Sequence, residues 1–218
     1  MYDYHYGGGI FMSNLDYIIS QRRSWRDFSE QELEQEKIEQ VIDAGRMAPF
    51  AGLVQRSTDT FRHFFVIHRD SAAAEILKEL VQEGRKAEVL RLKKEGLDQK
   101  YPDVAKMIEG MSMQPANDMF VSPYLIVIAE RGGLPQREAV CLGYVLENMW
   151  LKATELGLGF KISSSVSDIY NSPKAKELFG LPQDEVFAFD ACNIGYSSCP
   201  IPERTEHPKP VTSIKYFR

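Results

Sequence analysis

The stretch PQREAVCLGYVLENMWLKATELG, residues 135–157, decides how the rest of the chain is read. Its proline falls in the first turn and Gly157 just past the end, the asymmetry of a long helix. Val140, Cys141, Leu142, Val145, Leu146, Met149, Trp150, Leu151 and Leu156 spread around much of its circumference. Such a helix is covered on more than one side. In a domain this small, the second covering surface is expected to come from another subunit.

Outward from that helix, strands follow and precede it. GFKIS (159–163) is a short strand, and EVFAFDACNIG (185–195) supplies the last clear strand of the core. Between them SPKAKELFG (172–180) carries its own helix signals: a Ser172 cap, Pro173 at the first position and Gly180 past the end. On the other side, YLIVIAE (124–130) is a continuous apolar run, the pattern of a strand buried on both faces. FRHFFVIH (61–68) is a further strand, and the charged segment between, residues 70–118, is a helical excursion. Nearer the amino end, Ser13 caps a helix over 14–22, and Ile38, Val41, Ile42 and Gly45 give the spacing of an amphipathic helix stopped by Pro49. AGLVQRSTDT (51–60) reads as a loop, and residues 1–13 as a short, flexible lead-in. Residues 196–218 contain four prolines yet carry Val211, Ile214, Tyr216 and Phe217, which call for burial. An extended arm wrapped over a partner chain reconciles the two. No repeat is visible, and one domain over 14–218 is expected.

The bulk numbers exclude whole classes. With 26 Lys+Arg against 31 Asp+Glu in 218 residues, the chain lacks the electrostatic footprint of a nucleic-acid binder. No apolar run is long enough to span a membrane. Three cysteines, Cys141, Cys192 and Cys199, form no CxxC pair and fit a reducing cytoplasm, each read as a buried, inert thiol. The four histidines are scattered, so no metal site is expected. GLG at 157–159 lacks a third glycine and runs from helix into strand, the reverse of a dinucleotide fingerprint. There is no GxSxG elbow, and RLKKEG (91–96) is a solvated helix face.

Against this acidic background, QRRSWRDF (21–28) crowds Arg22, Arg23 and Arg26 together, and mutual repulsion calls for an anion nearby. Three other junctions stand out: APFAGLVQ (48–55), GLGFKISSS (157–165) and PERTEHPK (202–209). In the first, small residues leave the backbone open to a flat ligand, though a plain helix stop explains it as well. In the second, Ser163, Ser164 and Ser165 either offer N–H groups to a ligand edge or form a polar turn.

In order and spacing these segments resemble the nitroreductase family of FMN-dependent oxidoreductases. RRSWRDF is similar to that family's RRSxRxF, AGRMAPFAGLVQ to AARxAPSAGNxQPW, SPYLIVIAE to its core strand, and ENMWLKATELGLG to QNxxLAAxxLGLG. The resemblance implies an α+β fold, a central mostly antiparallel sheet flanked by helices, with a C-terminal arm exchanged across a homodimer and two FMN sites at the subunit interface. It implies that Arg22 and Arg23, with Ser24, hold the FMN phosphate and ribityl chain, a task suited to the bidentate guanidinium fork. Arg26 matches a residue at the pyrimidine edge of the flavin. Pro49, Phe50, Ala51 and Gly52, with Gln55 nearby, match a segment lining the flavin from the partner subunit. Ile162, Ser163, Ser164 and Ser165 match the segment against one ring face, and Asn117 a polar residue near the ring. Lys209, with Arg204 or His207, matches the basic pair beside the phosphate. The chain departs from the pattern at Leu53, Phe50 and Ser164, and after Gln55.

The activity so implied is hydride transfer from NADH or NADPH through flavin N5 to a small nitroaromatic or quinone, in a ping-pong cycle without an obligatory side-chain acid. A narrower dehalogenase or ene-type reductase, or a flavin-binding protein without turnover, fits the same motifs.

Overall fold

The computed structural model describes residues 4–5, 11–50, 61–205 and 213–217. Near the amino end, β1 (Tyr4–His5) and β2 (Phe11–Met12) form a short antiparallel ladder within the lead-in. Helix α1 (Asn14–Gln21) follows, capped as its sequence indicates by Ser13, whose side chain accepts the Asp16 N–H. α2 (Gln35–Arg46) buries Ile38, Val41, Ile42 and Gly45.

The core is a four-stranded sheet. Its members are β3 (Arg62–His68), β4 (Tyr124–Arg131), β5 (Gly159–Ile162) and β6 (Phe187–Gly195), in the order β3-β4-β6-β5 with every neighbouring pair antiparallel. Between β3 and β4 run α3 (Ala72–Lys94), α4 (Leu97–Lys100) and α5 (Pro102–Ser112), the charged excursion, followed by a tight turn at Asn117–Met119. α6 (Glu138–Glu155) links β4 to β5. A helical turn, Ser164–Ile169, and α7 (Pro173–Leu178) lead to β6.

Apolar side chains pack on both faces of the sheet, which is why β4 reads as an unbroken hydrophobic run. On one face Ile126, Ile128, Cys192, Ile194 and Phe160 lie under α2 and α6. On the other, Leu125, Val127, Phe187 and Phe189 lie under α3 and the Ser164–Ile169 turn. The result is a helix, sheet, helix sandwich of the α+β class.

Two details depart from the sequence reading, and a third bears on it. Pro135 stands outside α6, whose flanking residue is Arg137, so the helix starts three residues later. The second side of α6 is left open within one chain, where Val140 and Tyr144 are exposed. Cys199 is exposed rather than buried, because the proline-flanked segment around it runs along the surface. Among the described residues, no helix is long and apolar enough to cross a membrane.

Candidate functional site

The arginine stretch is laid against the outermost strand. Trp25 donates its N–H to Phe160 O at 2.8 Å, and Phe28 bridges to Ser197. Gly159 permits this approach: a Cβ there would come within 2.8 Å of both the Trp25 and Phe28 rings. The two arginines ahead of Trp25 meet different fates. Arg22 lies over the Trp150 ring, 4.5 Å from its centroid, with Nε 3.0 Å from Glu147 Oε1. That spacing makes an ion pair, but the N–H is misaligned for a hydrogen bond. Arg23 donates from Nε to Gln21 O at 3.5 Å, while its buried Nη2 has no hydrogen-bond partner among the described residues. Ser24 and Arg26 are exposed.

Two long-range contacts gather further residues around this stretch. Gln21 clamps the C-terminal segment: its Nε2 donates to Arg204 O at 3.0 Å, and its Oε1 accepts the Arg204 N–H at 2.8 Å. The backbone of Arg204 is thereby held at Gln21, 183 residues away in sequence, at the head of the arginine stretch. A cavity of about 960 Å³ opens beside the clamp, lined by Gln21, Arg23, Trp25, Leu158 and Cys199 and by the carboxylate-bearing Glu155 and Glu203, among others.

At the other end of β5 lies Ile162, partly buried against the core. Next to it Ser163 is buried and donates its Oγ–H to Met119 O at 3.3 Å. Ser164 and Ser165 open the helical turn, so the polar-turn reading describes their backbone. Asn193 reinforces the junction, donating from Nδ2 to Met119 O at 2.9 Å and accepting the Val121 N–H at 3.1 Å. Exposed Asn117 is therefore held close to Ser163.

Pro49 and Phe50 sit elsewhere. Arg62, at the start of β3, donates to Gly45 O, Ala48 O and Pro49 O at 3.2, 3.0 and 3.4 Å. The Phe50 ring lies 4.3 Å from that of Phe61. β3 and β5 are opposite edges of the sheet, three strand spacings or ~14 Å apart. One chain thus brings together Arg22 to Arg26, Ile162 to Ser165, Asn117 and Arg204, and holds Pro49 and Phe50 apart. Ala51, Gly52, Leu53, Gln55, His207 and Lys209 lie outside the described residues.

One residue beside the site escaped the sequence reading. Lys161 is half-buried on β5, where burial pushes its ammonium below the ordinary lysine value and Arg26 adds to that push, while Asp118 opposes it. Its only mark in the sequence is a lone cation inside the short strand GFKIS. Asp118 is in turn gripped by Arg85, which is 3% exposed, through two bonds of 2.9 and 2.8 Å. Among the described residues, no group of His, Cys, Asp and Glu could hold a metal ion.

Fold and site together define an α+β protein with a crevice beside the edge strand of an antiparallel sheet, with Arg23 in its wall. Residues 19–196 match the model of the Nitroreductase family, and the chain belongs to that family. Solved structures share its fold. A nitroreductase with bound FMN from Bacteroides fragilis NCTC 9343 is 17% identical, with a TM-score of 0.63 and 94% of this chain and 100% of that one covered. A BluB-like flavoprotein from Clostridium difficile 630 is 19% identical, with a TM-score of 0.64 and the same coverage. A nitroreductase family protein from Clostridium difficile 630 is 21% identical at a TM-score of 0.55, covering 90% of this chain and 94% of that one. No curated protein matches the chain.

Proposed function

We propose that this protein is an FMN-dependent oxidoreductase that works as a homodimer, drawing reducing equivalents from NADH or NADPH for a small electron-poor acceptor of the nitroaromatic or quinone type. The observation that carries the reading is Arg23. Its Nη2 is buried and unpartnered at the wall of a cavity, inside the RRSWRDF motif of a Nitroreductase family chain. A buried donor without an acceptor costs ~1–3 kcal/mol, and a phosphate oxygen relieves that cost with a charge-assisted bond. The residues present therefore fit an anionic nucleotide such as FMN, the group bound in the Bacteroides fragilis relative.

In this reading Arg23 and Arg204 hold the phosphate, with Arg22, Ser24 and Lys209 assisting. Arg22 has a second task, because its contacts with Trp150 and Glu147 fasten the stretch to α6. Arg26 faces the pyrimidine edge, and the backbone of Ile162 to Ser165 borders the ring, with Asn117 beside it. Pro49, Phe50, Ala51, Gly52 and Gln55 complete the crevice from the partner subunit and exclude water; the distance of Pro49 and Phe50 from β5 within one chain favours this arrangement. FMN, when bound, supplies hydride chemistry at its N5.

The test is an anaerobic absorption spectrum of purified protein before and after NADH or NADPH. A visible flavin band that bleaches on mixing is expected. A colourless preparation refutes cofactor binding, and a band that persists for minutes refutes reductase activity. Turnover of a nitroaromatic, a quinone and an enone then separates a broad reductase from a narrower one.

A further inference from the structure

Lys161 is a half-buried cation on the edge strand to which no role has been given. Trp25 N–H to Phe160 O at 2.8 Å sets the arginine stretch immediately beside it. On the strand's other side its register partner is Asn193, which anchors the Asn117–Met119 turn through Met119 O at 2.9 Å. The strand therefore sets Lys161 between the segment that carries Arg26 and the turn that carries Asp118. Asp118 in turn is committed by two bonds to the buried Arg85, so its charge is fixed in place rather than free to swing away. Such a braced arrangement is what a preorganised electrostatic site requires, since charges that do not have to move act at full strength when charge develops nearby.

We propose that Lys161 is a charge-setting residue, a second cation which with Arg26 stabilises the reduced ring of the bound flavin, and that Asp118 moderates it. The inference rests on the FMN reading above. Reduction adds two electrons and one proton to the ring from a reduced nicotinamide, which leaves as its oxidised cation, and the ring then carries one net negative charge. An ammonium at the ring's border favours that product, and a carboxylate there disfavours it.

The experiment is the two-electron midpoint potential of bound FMN in wild type, Lys161→Met, Lys161→Arg and Asp118→Asn, each also checked for retained flavin by its spectrum. Lys161→Met should lower the equilibrium constant for reduction at least tenfold, a fall of about 30 mV for a two-electron couple. Lys161→Arg should restore it, and Asp118→Asn should shift it upward. Opposite signs for the two charge removals are an outcome that loosened packing does not produce. Should Lys161→Met fail to fold, Lys161→Gln is measured in its place, with the same fall expected. Flavin-loaded variants with the wild-type potential, or shifts of one sign, overturn the proposal. A wild-type protein without a flavin band overturns the FMN reading on which it stands.

Discussion

Arg22 and Arg23 are neighbours in sequence with opposite surroundings, and the difference is measurable. Arg22 is neutralised by Glu147 and stacked on Trp150, whereas Arg23 keeps a buried nitrogen with no partner. Arg23→Ala should therefore weaken FMN binding by ~1.5–3 kcal/mol, the worth of a hydrogen bond to a charged group. Lys94→Ala, an exposed change on α3, should leave it unaltered. Titration of apoprotein with FMN checks both, and equal dissociation constants would remove Arg23 from the phosphate site. A second residue reports on pH. Burial pushes the Asp190 carboxyl up to about 6, with only the Ala191 N–H at 2.8 Å to oppose it. Because the folded value lies above the unfolded one, the protonated form favours the fold at low pH. That advantage is lost as pH rises from about 4 through about 6. Asp190→Asn should consequently raise the urea midpoint near neutral pH by the equivalent of ~3 kcal/mol, and the gain should vanish near pH 4. A gain independent of pH would show that ionisation of Asp190 is not its source.

At the scale of elements, one guanidinium joins three of them. Arg62 on β3 forms a two-pronged pair with Glu130 on β4, at 2.6 and 2.9 Å, with side chains 4% and 0% exposed. Its remaining donors take Gly45 O in the last turn of α2 and Ala48 O just beyond it. Arg62→Met strands a buried carboxylate and should cost ~3–5 kcal/mol, read by urea unfolding, while Arg62→Met with Glu130→Met should recover part of the loss. On the opposite face, α3 reaches the Ser164–Ile169 turn through Gly84, where a Cβ would lie 2.8 Å from Asp168 O. Gly84→Ala should destabilise by ~1–3 kcal/mol through overpacking, again measured in urea. The elements themselves were legible in the sequence. The β4 run declared burial on both faces, and Ser13 and Ser172 declared their helices. The start of α6 was misplaced because Pro135 gives the same local signal at a first turn as it does just before one.

For the whole molecule, the open surfaces are the informative ones. Ile214, Tyr216 and Phe217 are 71%, 82% and 93% exposed, and Val140 and Tyr144 leave an apolar stripe on α6. Their coverage by a second copy belongs to the homodimer proposed above, with the arm expected from the tail's composition. Replacing Ile214, Tyr216 and Phe217 by serine should raise the dimer dissociation constant at least tenfold with an unchanged far-ultraviolet spectrum, as read by sedimentation velocity across a dilution series. An unchanged constant would show that the arm contributes nothing to assembly.

Apolar periodicity, caps and the RRSWRDF motif are properties of neighbouring residues, and the sequence by itself settled the elements, the fold class and the place where cations gather. Where each cation is placed and what it faces depends on residues far apart in the chain: Glu147 and Trp150 for Arg22, Gln21 for the backbone of Arg204, Asp118 for Lys161. Those pairings are products of packing, through β5 at the sheet's edge and the turn held by Asn193. Electrostatic energy depends on distance in space, which only the folded chain specifies.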